Sequence, residues 1–171
     1  MTMSVDMGTG MWPDAGSTTD RPERVATEIM LCLDSEEGAE WPPYPAETVA
    51  AELIGPGLAE LSVSPWFATG VSAGDVVEVR HDGTGWVAGR VICRGGHSTV
   101  QMIAATNEEL APTIAALRAL GAVVREVGTP SMITVDIPES VPLPPVIDLL
   151  NAAETMTCAY TVACAQHRIA A

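Results

Sequence analysis

Residues 98–164 read STVQMIAATNEELAPTIAALRALGAVVREVGTPSMITVDIPESVPLPPVIDLLNAAETMTCAYTVAC, and their rhythm decides the architecture of the second half of this chain. Ser98 to Ala105 alternates, with Val100, Met102 and Ala104 on one face, the period of a strand. Thr106-Asn-Glu-Glu109 is a capping box, in which a threonine hydroxyl and a glutamate three residues later serve backbone N–H groups at a helix start. Leu110, Ile114, Leu117 and Gly121 follow at spacings of four, three and four, a helix stripe closed by a glycine stop. Ala122 to Val127 and Met132 to Ile137 are strands around the Gly128-Thr-Pro130 turn. Pro144 and Pro145 open a second helix, where proline is tolerated in the first turn, and Val146, Leu149, Leu150 and Ala153 form its stripe. The last strand, Cys158 to Cys164, places Cys158, Tyr160, Val162 and Cys164 on one face. The order β-α-β-β-α-β predicts a ferredoxin-like half over 97–171, with two helices on one face of an antiparallel sheet.

Upstream the punctuation differs. Val25, Thr27, Ile29, Leu31 and Leu33 alternate with their neighbours as a half-buried strand. Trp41-Pro-Pro-Tyr-Pro45 is an extended connector. Glu47–Leu53 could form a helix turn, but Gly55-Pro-Gly57 favours a hairpin with strands near 47–54 and 58–64. Asp75–Arg80 and Trp86–Cys93 flank His81-Asp-Gly-Thr-Gly85, a second hairpin marked by its Asp-Gly pair. Successive strands with tight turns predict a small barrel-like or strongly bent β-sheet over 23–96. Residues 1–22, rich in Gly, Ser, Thr, Asp and Met without periodicity, read as a flexible tail. The fold class is therefore α+β.

Charge narrows the partners. The 171 residues carry 22 acidic and 8 basic side chains, all arginine, for a net −14. Residues 1–60 hold twelve acids against Arg21 and Arg24, residues 61–105 balance, and the remainder is −4. Such a field repels nucleic-acid backbones and anionic membranes. Around Glu36 and Glu37 the acidic run is either a solvated loop or a docking surface for a basic protein. The first twenty residues lack a basic and apolar leader pattern, and every apolar stretch is interrupted, so a cytoplasmic location is expected. Cys32, Cys93, Cys158 and Cys164 are expected as buried thiols.

The string Arg94-Gly-Gly-His-Ser-Thr99 lies where the two halves meet. His97 as base and Ser98 as nucleophile, with Asp136 and Arg94 in support, would form a catalytic or ligand site in a cleft. Adjacent strand residues point to opposite faces, however, so His97 and Ser98 should diverge, and a glycine hinge with locally bonded side chains is the simpler expectation. No metal site is expected. Cys158 and Cys164 would be about 20 Å apart on a strand, beyond one ion's reach, with His167 and His81 solvated. Trp41, Tyr44, Trp66 and Phe67 lie among prolines and either close the end of a barrel or form a recognition patch. No cofactor motif occurs.

Trp41-Pro-Pro43, Glu47 with the short hairpin after it, Ser64-Pro-Trp-Phe-Ala-Thr-Gly70, Ser72-Ala-Gly-Asp-Val-Val-Glu78, Gly96-His-Ser-Thr-Val100, Leu120-Gly121 and Asp136-Ile-Pro138, in this order, resemble a bacterial family common in actinobacteria, domain of unknown function 4265. The resemblance spans roughly 25–165. It departs at Trp66, where the family has Phe, and at Gly95, where it has Ser. It implies an architecture and carries no catalytic residues with it. The functional expectation is a non-catalytic protein-binding module, for instance an immunity or antitoxin-like protein meeting a basic partner. Its binding candidates are Glu36, Glu37, Trp66, Phe67, Arg94 and His97. The alternative is an enzyme or small-ligand binder at the junction, using His97, Ser98 and Asp136.

Overall fold

The computed structural model describes residues 23–34, 41–127 and 130–167. The expectations for the tail at 1–22 and for Glu36 and Glu37 lie outside those residues. Five strands come first: β1 (Val25–Cys32), β2 (Ala46–Gly55), β3 (Leu58–Leu61), β4 (Val76–His81) and β5 (Trp86–Cys93). They form a closed barrel in the order β1-β2-β3-β4-β5. Neighbours in sequence pair antiparallel, and the barrel closes through two parallel pairs, Ile29 with Trp86 and Met30 with Val87. Alternation turns Ile29, Leu31, Val49, Ala51, Ala59, Leu61, Val77 and Val79 inward as one core. At the Asp-Gly hairpin, the Asp82 carboxylate accepts from Thr84 N–H, the Thr84 hydroxyl and Gly85 N–H. Those bonds, that of the Thr84 amide foremost, hold its pKa down at about 2.

The second half contains β6 (Ser98–Ala104), α1 (Asn107–Ala119), β7 (Val123–Val127), β8 (Met132–Ile137), α2 (Leu143–Ala153) and β9 (Cys158–Cys164). Its four strands form an antiparallel sheet in the order β7-β8-β6-β9. Val100, Met102, Ile133, Val135 and Ile137 face Leu110, Ile114 and Leu117 of α1 and Val146 and Leu150 of α2, forming a second core. Thr106 caps α1 by accepting from Glu109 N–H at 3.3 Å. The Glu109 carboxylate turns instead to the Thr157 hydroxyl, at 3.4 Å.

Three local expectations are corrected. β3 stops at Leu61 rather than 64, because Ser64 and Pro65 begin a strap that leaves the barrel for the sheet. In β9, a register shift opposite Thr99 and Val100 breaks the alternation. Ala163 and Cys164 are both buried, and Val162 is left 46% exposed. Cys32 and Cys93 are exposed on strand faces, whereas Cys158 and Cys164 are buried thiols.

At the end of the first half the backbone crosses itself, the segment after β5 passing the one before β4. A Cβ on Gly95 would lie 2.3 Å from the carbonyl carbon of Gly74, inside any van der Waals contact, so two chains pass at a spacing only glycine permits. Gly95→Ala is expected to destabilise the fold by about 3 kcal/mol or more through forced separation of the two crossing segments. Gly55→Ala, with open space around its Cβ, should stay within about 1 kcal/mol, and thermal melts of the two variants compare them directly.

Candidate functional site

The sheet carries a second face. On β6 and β8 the residues between the core positions are Thr99, Gln101, Thr134 and Asp136, which pair across the two strands. Those four and Met132 are buried too, because the strap from Ser64 to Gly74 covers this face as the helices cover the other. All six residues of β8 are therefore buried. A polar face buried against another segment must be hydrogen-bonded throughout, and nearly all of it is.

The bonds form a directed chain. Ser72 and Thr99 share a short hydroxyl–hydroxyl contact. Thr99 donates to the Ser64 hydroxyl at 2.9 Å, and Ser64 donates to Asp136 Oδ1 at 3.3 Å. His97 Nδ1 meets the same carboxylate oxygen at 2.8 Å. A carboxylate only accepts, so Nδ1 carries the hydrogen, and Nε2 is left as the acceptor of the neutral ring. His97 and Asp136, proposed together from the sequence, are thus in contact, with the His97 side chain 28% exposed.

Ser98 belongs elsewhere. Its hydroxyl is 2.7 Å from His167 Nδ1 and accepts from the backbone N–H of Gln166 and His167. His167 Nε2 faces the carbonyls of Pro138 and Val141 at 3.0 and 3.1 Å, which fixes it as the protonated nitrogen. Nδ1 is then the acceptor and the serine the donor. The expectation of a solvated His167 is corrected: it pins the end of β9 to the start of β6. Ser98 is 1% exposed and paired with a histidine other than His97, so the two neighbours do diverge. His81, in contrast, is exposed, packed edge-on against Trp86.

Asp75 organises the rest. The residue is fully buried, and its two oxygens accept from Ser72 N–H, Gly95 N–H, the Arg94 guanidinium at 3.0 Å and the Gln166 amide. Arg94 also donates to the carbonyl of Gly70. Glu47, on the inward parity of β2, accepts the amides of Trp66, Phe67 and Ala68 at 2.6–2.8 Å. Arg125 lies 4.4 Å over the Trp66 ring and donates to Ser64 O. Burial lowers its pKa, and the Glu47 charge works against that shift. Phe67 meets Trp41 and Tyr44 edge-on at 5.2 and 6.0 Å. Trp41 and Tyr44 are exposed, so this aromatic group sits at the surface, while Trp66 underlies Arg125.

In front of the Asp75 cluster opens a cleft of about 560 Å³. Arg94, Gly95, Gly96, Glu139, Cys164 and Gln166 line it. His97 is absent from its walls, which corrects the expectation of a junction cleft built around that ring. Among the described residues no cluster of His, Cys, Asp and Glu could hold a metal ion, and no helix is long and apolar enough to cross a membrane.

Sequence reasoning missed Glu47, Asp75, Ser64, Ser72, Glu139 and Gln166 as a constellation. One signal was available: Glu47 has the strand parity of Val49 and Ala51, and a carboxylate on an inward parity must find donors.

The profile of a domain of unknown function (DUF4265) matches residues 47–159, well over half of the chain. The solved structure of a hypothetical protein from Neisseria gonorrhoeae superposes with a TM-score of 0.68 at 15% identity, covering 83% of this chain and 96% of that one. At that identity the likeness is one of fold. No curated protein matches.

Asp75→Asn should cost about 3–5 kcal/mol in chemical denaturation, since an amide cannot accept from all of these donors. Arg94→Ala should cost less, because it leaves the other donors to Asp75 in place. Thr134 Oγ1 is buried without a hydrogen-bond partner. Thr134→Val is therefore expected to be neutral or stabilising by up to about 1 kcal/mol in the same measurement.

Proposed function

The chain belongs to the DUF4265 family, and we propose that it is a binding protein that holds a small zwitterionic molecule in the cleft between its halves. One observation carries this reading: Arg94 and Glu139, of opposite charge, stand on the walls of the same open cleft. Arg94 uses one nitrogen, Nη1, for its protein partners, and a guanidinium has five N–H donors, so a bound carboxylate finds donors there. Glu139 is exposed and offers an acceptor for an ammonium group. The polar groups behind the cleft are bonded to one another, which fixes its wall before a ligand arrives.

Use of His97 and Ser98 as a catalytic pair finds no support in the geometry, since Ser98 is buried on His167 and Ser64 lies on the carboxylate side of His97. The reading as an acidic module for a basic protein, immunity-like or otherwise, rests on the net charge of −14. On the barrel three of the acids already face a cation, Arg24 bridging Glu52 and Glu60 and Arg90 bridging Glu78. We further infer a ferredoxin-like second half. The strand order β7-β8-β6-β9, with both helices contributing to one core, supports it. The two separate hydrophobic cores support a division into units at 23–96 and 97–171.

Thermal melts with free amino acids and betaines, against singly charged carboxylates and amines, test the proposal. A zwitterion at about a hundred times its Kd should raise stability by about 2.7 kcal/mol, several degrees for a chain of this size. Arg94→Ala and Glu139→Gln should each weaken binding about tenfold, the loss of one charged contact. If no zwitterion moves the melt or the amide resonances of Gly95 and Gly96, the cleft has another role.

A further inference from the structure

The barrel closes with a gap. β1 pairs with β2 along its whole length, Val25 opposite Leu53 through Cys32 opposite Ala46. With β5 it shares only Ile29 and Met30. Before Ile29, no strand among the described residues lies on the other side of β1. It faces the 82–85 turn across a groove of about 700 Å³ lined by Thr27, Glu28, Met30, Asp82, Trp86 and Val87, among others. Glu28 and Met30 have the outward parity of the barrel, opposite to that of Ile29 and Leu31 in the core.

Among the described residues the walls of the groove carry two carboxylates, Glu28 and Asp82, and no arginine. Asp82 is an exposed carboxylate whose pKa the turn amides hold at about 2, so its charge persists well into the acidic range. Arg80 and His81 precede the turn on β4, and Arg24, before β1, is engaged with Glu52 and Glu60.

We propose that this groove docks an extended basic segment of another protein, which adds as a strand beside residues 25–28 of β1 and sets Lys or Arg side chains against Glu28 and Asp82. Strand addition supplies backbone hydrogen bonds, and the two carboxylates supply selection for positive charge. The occupant is a foreign chain rather than a second copy. This sequence contains no lysine, and its net charge of −14 opposes self-association through an acidic groove. Its own residues 1–22 fit no better, with Asp6, Asp14 and Asp20 against Arg21 alone. The proposal is independent of the ligand cleft, which lies at the junction of the halves.

The test uses the full chain and a fluorescein-labelled peptide alternating Lys and Val, with a Glu and Val peptide as control, read by anisotropy and by amide and indole resonances. The basic peptide should bind, more weakly as salt rises, and move the signals of Thr27, Glu28 and Trp86. Glu28→Arg, an exposed position, should weaken it about tenfold or more while melting like the parent protein. Glu154→Arg, beyond α2, should change affinity little. Equal weakening by both variants would mean that overall acidity, not the groove, attracts the peptide. Absence of binding, or shifts confined to residues outside the groove, would equally overturn the proposal.

Discussion

A buried carboxylate cannot be left without donors, and the placement of Asp75 follows from that requirement. Its donors come from three places in the chain: Ser72 in the strap, Arg94 and Gly95 after the barrel, and Gln166 after β9. Satisfying one side chain therefore fixes the barrel, the junction and the end of the last strand relative to one another. The glycine crossing serves the same end. The Gly95 N–H reaches Asp75 Oδ1 at 2.8 Å where the backbone passes Gly74 at a distance no side chain would allow. The Gln166 amide is the donor that carries this cluster across to the second half.

This explains why the second face of the sheet is polar although it is buried. A hydrophobic face would slide over the strap at little energetic cost. Hydroxyls and a carboxylate meet their partners in one register, and a displaced register leaves several unpaired at about 1–3 kcal/mol each. Ser72, Thr99 and Ser64 each donate onward until Asp136, which accepts without donating. His97 is the outer end of that chain, and its ring orientation is a consequence of it.

The periodic parts of this architecture were legible. Met132–Ile137 is a strand with the boundaries its alternation indicates, and Thr106 caps its helix as the sequence pattern requires. The Asp82-Gly83 turn and the Gly55–Gly57 turn lie between the strands expected. Non-local events were not legible. The shift opposite Thr99 and Val100 depends on how β9 meets β6, and no local propensity encodes it. Barrel closure by two parallel pairs joins residues far apart in sequence. At the site, His97 and Asp136 could be named as candidates. That His167 and not His97 takes Ser98 depends on where the chain returns after β9, which strand parity alone does not specify.

The same contacts account for a compositional oddity, eight arginines and no lysine. Arg24 reaches both Glu52 and Glu60; Arg94 reaches Asp75 and the Gly70 carbonyl. Arg118 reaches Glu126 and the Val124 carbonyl, and Arg125 stacks on Trp66 while donating to Ser64. Each holds two partners at once, a task suited to a planar fork with several donors and poorly matched by a single ammonium. Net charge alone misdescribes such a protein. Glu47, Asp75 and Asp136 are buried acceptors, and Glu52, Glu60, Glu78 and Glu126 are bridged. The bridged and buried acids organise the fold, so the electrostatics that a partner meets are set by where the remaining carboxylates stand, and among the described residues Glu28 and Asp82 share one groove.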